Sequence, residues 1–363
     1  NNNVQFIIDH FSPTNKDTTK TDWYFAMNTV ILTKSKFNYN DQNIEPKING
    51  IDFNHLSISY LDLKLSNINL LDLGVDCQID RLKFFEQTGF QVDELSCNAK
   101  VNSEGIVAER LRIKTPFSNI DGDVNFITTT YTDLKNFITD VKIKSTFNTT
   151  KVDFKDLFYF APALECLDKF LLVEGEVKGT IGNLKARNLE ILIDDGTKFK
   201  GNVDISGLPV AEDMFIYAKV KELVTTKEKL ESLPLYPFVK EKFIQIPKSF
   251  KSLGVIRFKG NFTGFYHDFV TYGSLKTKLG TLTTDISLKL KNGISYYKGD
   301  IFSADFDLGT FADLKGEVGR ITLDVNVDGS GFSTKDLDAT LVGDIKKIEI
   351  KNIIILQIPL ILQ

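Results

Sequence analysis

The chain has 363 residues, of which 42% are hydrophobic and 25% charged, with a formal net charge of −4. Its 29 phenylalanines argue for a folded protein with a large apolar surface to shelter. Lys and Asp/Glu are interleaved without a basic stripe, which argues against nucleic acid as a partner, and no apolar run reaches the roughly 18 residues of a membrane-crossing helix.

Residues 1–22 open on NNNVQFIIDHFSPT and lack the basic start and apolar core of a secretory leader. Together with the apolar ending NIIILQIPLILQ, they make the chain read as a piece of a longer protein. Residues 23–150 are dominated by period-two alternation, the pattern of half-buried strands. Leu71, Leu73, Val75, Cys77 and Ile79 alternate with Asp72, Gly74, Asp76, Gln78 and Asp80. Leu95, Cys97, Ala99 and Val101 alternate with Ser96, Asn98 and Lys100. Three cysteines cannot form a full disulfide set, and Cys77 and Cys97, on the apolar phase, are expected as small buried hydrophobes.

Residues 151–172 include KVDFKDLFYFAPALECLDKF, where Phe154, Leu157, Phe158, Leu164 and Leu167 recur at helical spacing. A helical insertion broken at Pro162 is expected there. Alternation resumes over 173–224, with Val173, Gly175, Val177, Gly179 and Ile181 on one side and Glu174, Glu176, Lys178 and Thr180 on the other. A second helical insertion is expected in 225–252, where Thr225 and Glu228 have capping-box spacing and Pro234 and Pro237 divide the segment. Residues 253–350 alternate again, in Ile256 to Phe262, Leu282 to Leu290 and Ile321 to Val327. Residues 351–363 are apolar without alternation and stay unassigned.

Short links at Gly89, Ser103-Glu104-Gly105, Asp194-Asp195-Gly196 and Lys291-Asn292-Gly293 favour antiparallel neighbours. Roughly fifteen or more strands are expected, several longer than usual. A loose repeat runs through them: GTIGNL (179–184) then TKFKGNVDI (197–205) echoes GFYHDF (264–269) then TKLGTLTTDI (277–286). A weaker copy is GFSTKDL (331–337) then TLVGDI (340–345).

The apparent chemical motifs dissolve in this context. His267 and Asp268 are adjacent in an alternating segment, so in a strand they leave on opposite faces and cannot act as a dyad. Ser295 and Lys298 have SxxK spacing, but a serine is activated that way on a helix, and GISYYKGDIF reads as strand. Gly260 and Gly264 precede no helix, so they mark bulges or close backbone approach in a curved sheet instead of a phosphate cradle. DVNVDGSGFSTK (324–335) resembles a calcium loop until its twelfth position, which is Lys335 and not a bidentate Glu. Asn148-Thr149-Thr150 and Asn261-Phe262-Thr263 fit the glycosylation triplet, as an Asn-rich composition readily produces. No catalytic residue, metal or cofactor is expected.

What remains is the apolar face, and alternation alone is met equally by stacked β-sandwiches, by a β-helix and by one long curved sheet whose greasy face lines a groove. Nine phrases in order decide the expectation: WYFAMNTVILTKSKFNYND (23–41), TGFQVDEL (88–95), LRIKTPFSNIDGDV (111–124), VDFKDLFYFAPAL (152–164), VEGEVKGTIGNL (173–184), TKFKGNVDISGLP (197–209), LGVIRFKGNFTGFYHDFVTYGSLKTKLG (253–280), YKGDIFSADFDLG (297–309) and VDGSGF (327–332). Together they resemble the TamB-like translocation and assembly module family of the AsmA-like superfamily, in the form found in Bacteroidota.

The resemblance implies a mainly β protein, a long curved antiparallel sheet folded like a taco around an open hydrophobic groove, here interrupted by the two short helical insertions. It implies a periplasmic location in a Gram-negative bacterium, with an inner-membrane anchor and an Omp85-type outer-membrane partner, both engaged through segments outside this chain. The implied function is not enzymatic: it is passive passage of phospholipids between the inner and outer membranes for outer-membrane biogenesis. The expected groove lining is Leu73, Val75, Val177, Ile181, Ile256, Phe258, Phe262, Leu282, Ile286, Leu288, Leu323, Val325 and Val327. The rival expectation is a stacked β-sandwich binding or adhesion module, with surface aromatics such as Tyr266 and Tyr272 on its ligand.

Overall fold

The computed structural model describes residues 28–71, 74–233, 246–331, 338–351 and 353–362. Within them the alternating segments form β1 (Thr29–Asn40), β2 (His55–Leu71), β3 (Gly74–Glu86), β4 (Gln91–Asn102), β5 (Gly105–Lys114), β6 (Asn119–Ile127), β7 (Lys142–Asp153), β8 (Phe170–Thr180) and β9 (Asn183–Ile193). They continue as β10 (Lys198–Ser206), β11 (Phe215–Thr225), β12 (Ile256–Phe265), β13 (Asp268–Thr277), β14 (Gly280–Lys291), β15 (Ile294–Asp307), β16 (Val318–Ser330), β17 (Asp338–Ile350) and β18 (Ile353–Leu362).

Each strand pairs antiparallel with its neighbours in sequence, so the described residues make one open 18-stranded meander with β1 and β18 at its edges. The long curved sheet is therefore the architecture, and the stacked-sandwich and β-helix alternatives, which need paired sheets or parallel coils, are set aside.

Strands this long keep one apolar face only if their irregularities preserve phase. In β5, Ala108 and Leu111 point the same way because Arg110 between them adopts φ 51° in a bulge. A bulged residue leaves the ladder with an unpaired N–H, and here a neighbouring side chain takes it: Arg110 N donates to Asp123 Oδ1 at 2.8 Å. The same device recurs where Lys34 N donates to Asp62, Asn188 N to Asn202 and Asp305 N to Thr322, each donor at a φ near +50°. Such bulges bend and twist the strands that carry them.

The connections divide into two rims. At one rim even-numbered strands begin and odd-numbered strands end, and most of the helical segments collect there: Phe154–Leu157, Pro162–Leu164, Lys227–Glu231, Lys248–Leu253 and Leu308–Phe311. The opposite rim is mainly short hairpins, with the turns Tyr131–Asn136 and Phe137–Asp140 between β6 and β7 and the single turn Ala211–Asp213 between β10 and β11. The repeat seen in sequence is a hairpin of this second rim: Gly179 pairs with Leu184 around Ile181-Gly182, and Gly264 with Phe269 around Tyr266-His267. The third copy falls partly on 332–337, outside the described residues.

Several expectations need correction. The first helical insertion is not one broken helix but two separate turns, because Ala161 before Pro162 is driven out of the helical region to φ −137°, ψ 82°. In the second, the strand runs through Thr225 and the cap is Thr226, whose hydroxyl accepts from Lys229 N, so the cap falls one residue later than expected and Thr225 with Glu228 makes no capping box. Pro234 and Pro237 lie outside the described residues. The turn Leu308–Phe311 was not expected; Asp307, the last residue of β15, caps it as Asp153 caps the turn after β7. The apolar tail left unassigned is β18, in register with β17.

Buried apolar residues concentrate at the helix-bearing rim. Leu253, Ile256, Leu279, Phe306, Ile321, Ile345 and Ile348 form one cluster, roofed by Phe250, Leu308 and Phe311. Ile51, Phe90 and Val92 form another, against Tyr159. A third, around Ile68, Cys77, Cys97, Ala99 and Leu111, lies along β2 to β5. Both cysteines are buried and free as expected, and burial, with Cys77 alongside, pushes the Cys97 thiol up to about 11.

Candidate functional site

Cross-strand partners share a face, so register decides whether the apolar phases of successive strands meet. They do. One row runs Cys77, Ala99, Ala108, Val124, Ser145, Val177, Ala186, Val203, Ala218, Phe262, Thr271, Ile286, Gly299, Val327, Leu341, each paired with the next, from β3 to β17. At 4.7–4.9 Å between strands, its 14 steps extend roughly 67 Å. A second row, nearer the hairpins, begins at Leu70 and Val75 and continues through Ile106, Phe126, Leu184, Ile216, Phe269, Leu288 and Tyr297. Neither row contains a charged side chain.

The opposite face is mainly polar, although Tyr217, Val270, Tyr272, Phe302 and Val342 are exposed on it, and many of its charges are paired across strands. Lys298 meets Asp328 at 2.7 Å, Lys346 meets Asp324 at 2.9 Å, Lys64 meets Asp80 at 3.3 Å, and Arg187 pairs with Asp204. Exposed pairs of this kind add little stability. Their consequence is a solvated outer wall without a large field of one sign.

The expected lining residues are placed as follows. Val177, Phe262, Ile286 and Val327 share the first row; Val75 and Leu288 share the second. Phe258, Leu282 and Leu323 lie on a third, which continues to Ile345 and Ile358. Val325 is on the same face, but it and Val327 are buried among their neighbours. Ile256 belongs to the core under the helical roof and does not line open groove. Ile181 is in the hairpin turn after β8, not on the strand, because Thr180 and Asn183 already pair around it. Leu73 lies outside the described residues.

Sequence reading missed Phe269, Tyr297, Ile301 and Leu341, which stand on the same face. The available signal for Phe269 was the Gly264–Phe269 hairpin, whose two turn residues Tyr266 and His267 shift the inward phase from even numbers on β12 to odd numbers on β13; the later two-residue hairpins shift it again. Phe269 stacks near Phe262, with ring centroids 4.7 Å apart.

The apparent chemical motifs carry no assembled chemistry. His267 is a turn residue stacked on Phe265, while Asp268 opens β13 and pairs with Lys289 at 2.5 Å. Ser295 and Lys298 leave β15 on opposite faces, and Lys298 is held by Asp328. Asp324 and Asp328 are likewise engaged by lysines, and Asn326 donates to Asp300. Among the described residues no group of three or more His, Cys, Asp or Glu is arranged to hold a metal ion, and no helix is long and apolar enough to cross a membrane. Comparison of the chain with protein-family models, with curated proteins and with solved structures found no match.

Proposed function

We propose that this sheet shelters the acyl chains of phospholipids on its apolar face and lets them slide along it, as a segment of a TamB-like conduit across the periplasm between the inner and outer membranes. The observation that carries the reading is the register: rows of uncharged side chains continue from strand to strand without a break from β3 to β17. Each acyl CH₂ kept in water costs about 0.8 kcal/mol, so a two-chain lipid needs such cover to cross an aqueous gap. Hydrophobic contact is non-directional, so an aliphatic wall holds a chain without fixing it at one place.

The test is a photocrosslinker placed at Phe262 or Ile286, on the apolar face, and at Lys259 or Lys289, on the polar one. Phospholipid adducts are expected from the first pair and not from the second. Equal adducts from both faces would sink the reading.

A further inference from the structure

The two rims of the groove are unequal. At the helix-bearing rim the apolar face ends in sealed positions, with Leu279 and Phe306 each 4% exposed beneath Phe250 and Phe311. At the hairpin rim the same face ends in the open: Leu70 is 55% exposed and Leu290 42%. The exceptions on that rim are the segment between β6 and β7, where Phe137 packs on Phe126 at 5.1 Å and Val141 is fully buried, and the connection between β10 and β11, whose Gly207 N donates to the Gly182 carbonyl of the β8–β9 turn.

From this asymmetry, and resting on the proposed lipid-sheltering function, we infer that acyl chains enter and leave the groove sideways over the hairpin rim of β12 to β15, with the headgroup kept in water beside the turns. The occupant is hydrocarbon because the strands' amides and carbonyls are spent on the ladder. A peptide or polar ligand lying on this face would leave its own hydrogen-bonding groups unpaired, whereas an acyl chain has none. The turns Tyr266-His267 and Asn292-Gly293 are two residues long, so no extra segment of β12 to β15 stands between solvent and the ends of the apolar rows. At the other rim a chain would have to displace the turns Lys248–Leu253 or Leu308–Phe311, whose Phe250 and Phe311 are in edge contact at 5.6 Å.

Leu290 and Leu314 allow a matched comparison, since both are exposed leucines, at 42% and 47%, but Leu314 sits in the connection at the helix-bearing rim. The full chain, carrying a photocrosslinker at one of these or at Phe262, is mixed with vesicles of phosphatidylethanolamine and phosphatidylglycerol containing a radiolabelled phospholipid. Adducts are expected at Phe262 and Leu290 and not at Leu314. Leu290→Asp should slow the appearance of label at Phe262 about tenfold without lowering its final level, because a carboxylate at the entry opposes passage of hydrocarbon past it; Leu314→Asp should leave the rate unchanged. Label at Phe262 with equal adducts at Leu290 and Leu314, or with equal rates in the two Asp variants, overturns the sideways route and leaves sheltering intact. Absence of label at Phe262 in every sample overturns sheltering itself, and the route with it.

Discussion

Gly260 stands opposite Gly273 across the β12–β13 pair, so close that a Cβ on Gly260 would lie 2.6 Å from the Cα of Gly273 and 2.1 Å from the carbonyl oxygen of Tyr272. The ring of Phe258 fills the space over both, 2.9 Å from that same Cβ position. The two glycines thus let a phenylalanine lie flat along the apolar face where the strands approach most closely. On their row, Gly201 and Gly343 also face the groove, so the floor is kept low at intervals.

Gly260→Ala is therefore expected to destabilise the fold by about 1–3 kcal/mol, since overpacking must push apart two backbones and not merely a flexible side chain. Gly182→Ala is the control: its Cβ would meet nothing nearer than 3.5 Å. Urea midpoints measured on both variants check this, and equal midpoints would refute the close-approach account.

How much of this was legible beforehand depends on which interaction encodes it. The alternation of Leu282, Thr284, Ile286 and Leu288 is local and gave the strand and its face directly. The run from Leu71 to Ile79, by contrast, crosses the end of β2 and the start of β3, and the pairing shifts its phase, because Leu70 and not Leu71 stands opposite Val75; an unbroken period-two pattern does not reveal that hairpin. Bulges were illegible for a related reason: nothing in VAERLRI distinguishes Arg110 from its neighbours until Asp123 on the next strand accepts its N–H. The placement of Ile256 in a sealed core and not in open groove depends on Phe250 and Phe311, dozens of residues apart in sequence and joined only by the roof. The sheet's edge at β18 was hidden because both of its faces are apolar.

The roof over that core should loosen in acid. Asp307 receives the Thr310 backbone N–H at 2.8 Å and its hydroxyl at 2.8 Å. The Thr310 backbone bond chiefly holds the Asp307 carboxyl below its ordinary range, against the opposing effect of burial, with the Thr310 hydroxyl and Arg320 adding to it. A carboxyl depressed by folding stabilises fully above its unfolded value, and that stabilisation is lost as pH falls through the folded one. Asp307→Ala should cost about 1 kcal/mol at neutral pH, the usual worth of an N-cap. Asp307→Asn, a neutral cap, should remove the acid dependence, so the wild-type advantage over it shrinks between pH 6 and pH 3 (roughly the range spanning an ordinary carboxylate). Thermal melts across that range decide the point; an advantage that stays constant with pH would count against Asp307 as the titrating cap.

The outward face of β18 differs from that of the interior strands. Among the described residues β18 pairs with β17 alone, so its other edge presents unpaired backbone groups, and residues 353–362 contain no charge. Ile355, Ile358 and Leu360 pack toward the core, while Leu356 is 64% and Ile361 75% exposed on the strand. Proline at 359, which has no N–H for a ladder, and Gln357, at φ 56°, interrupt this edge without placing a charge on it. A long apolar edge of this kind is a template for pairing with another chain. The isolated chain is expected to self-associate through β18 as its concentration rises. Ile354→Lys with Leu356→Lys should reduce that association while leaving the thermal midpoint nearly unchanged, because both side chains already face solvent. Ile358→Lys, placing a charge among the core residues, should instead lower the midpoint. Sedimentation velocity over a concentration series, with melts on the same samples, separates the two effects, and association undiminished in the double-lysine variant would show that the contact lies elsewhere.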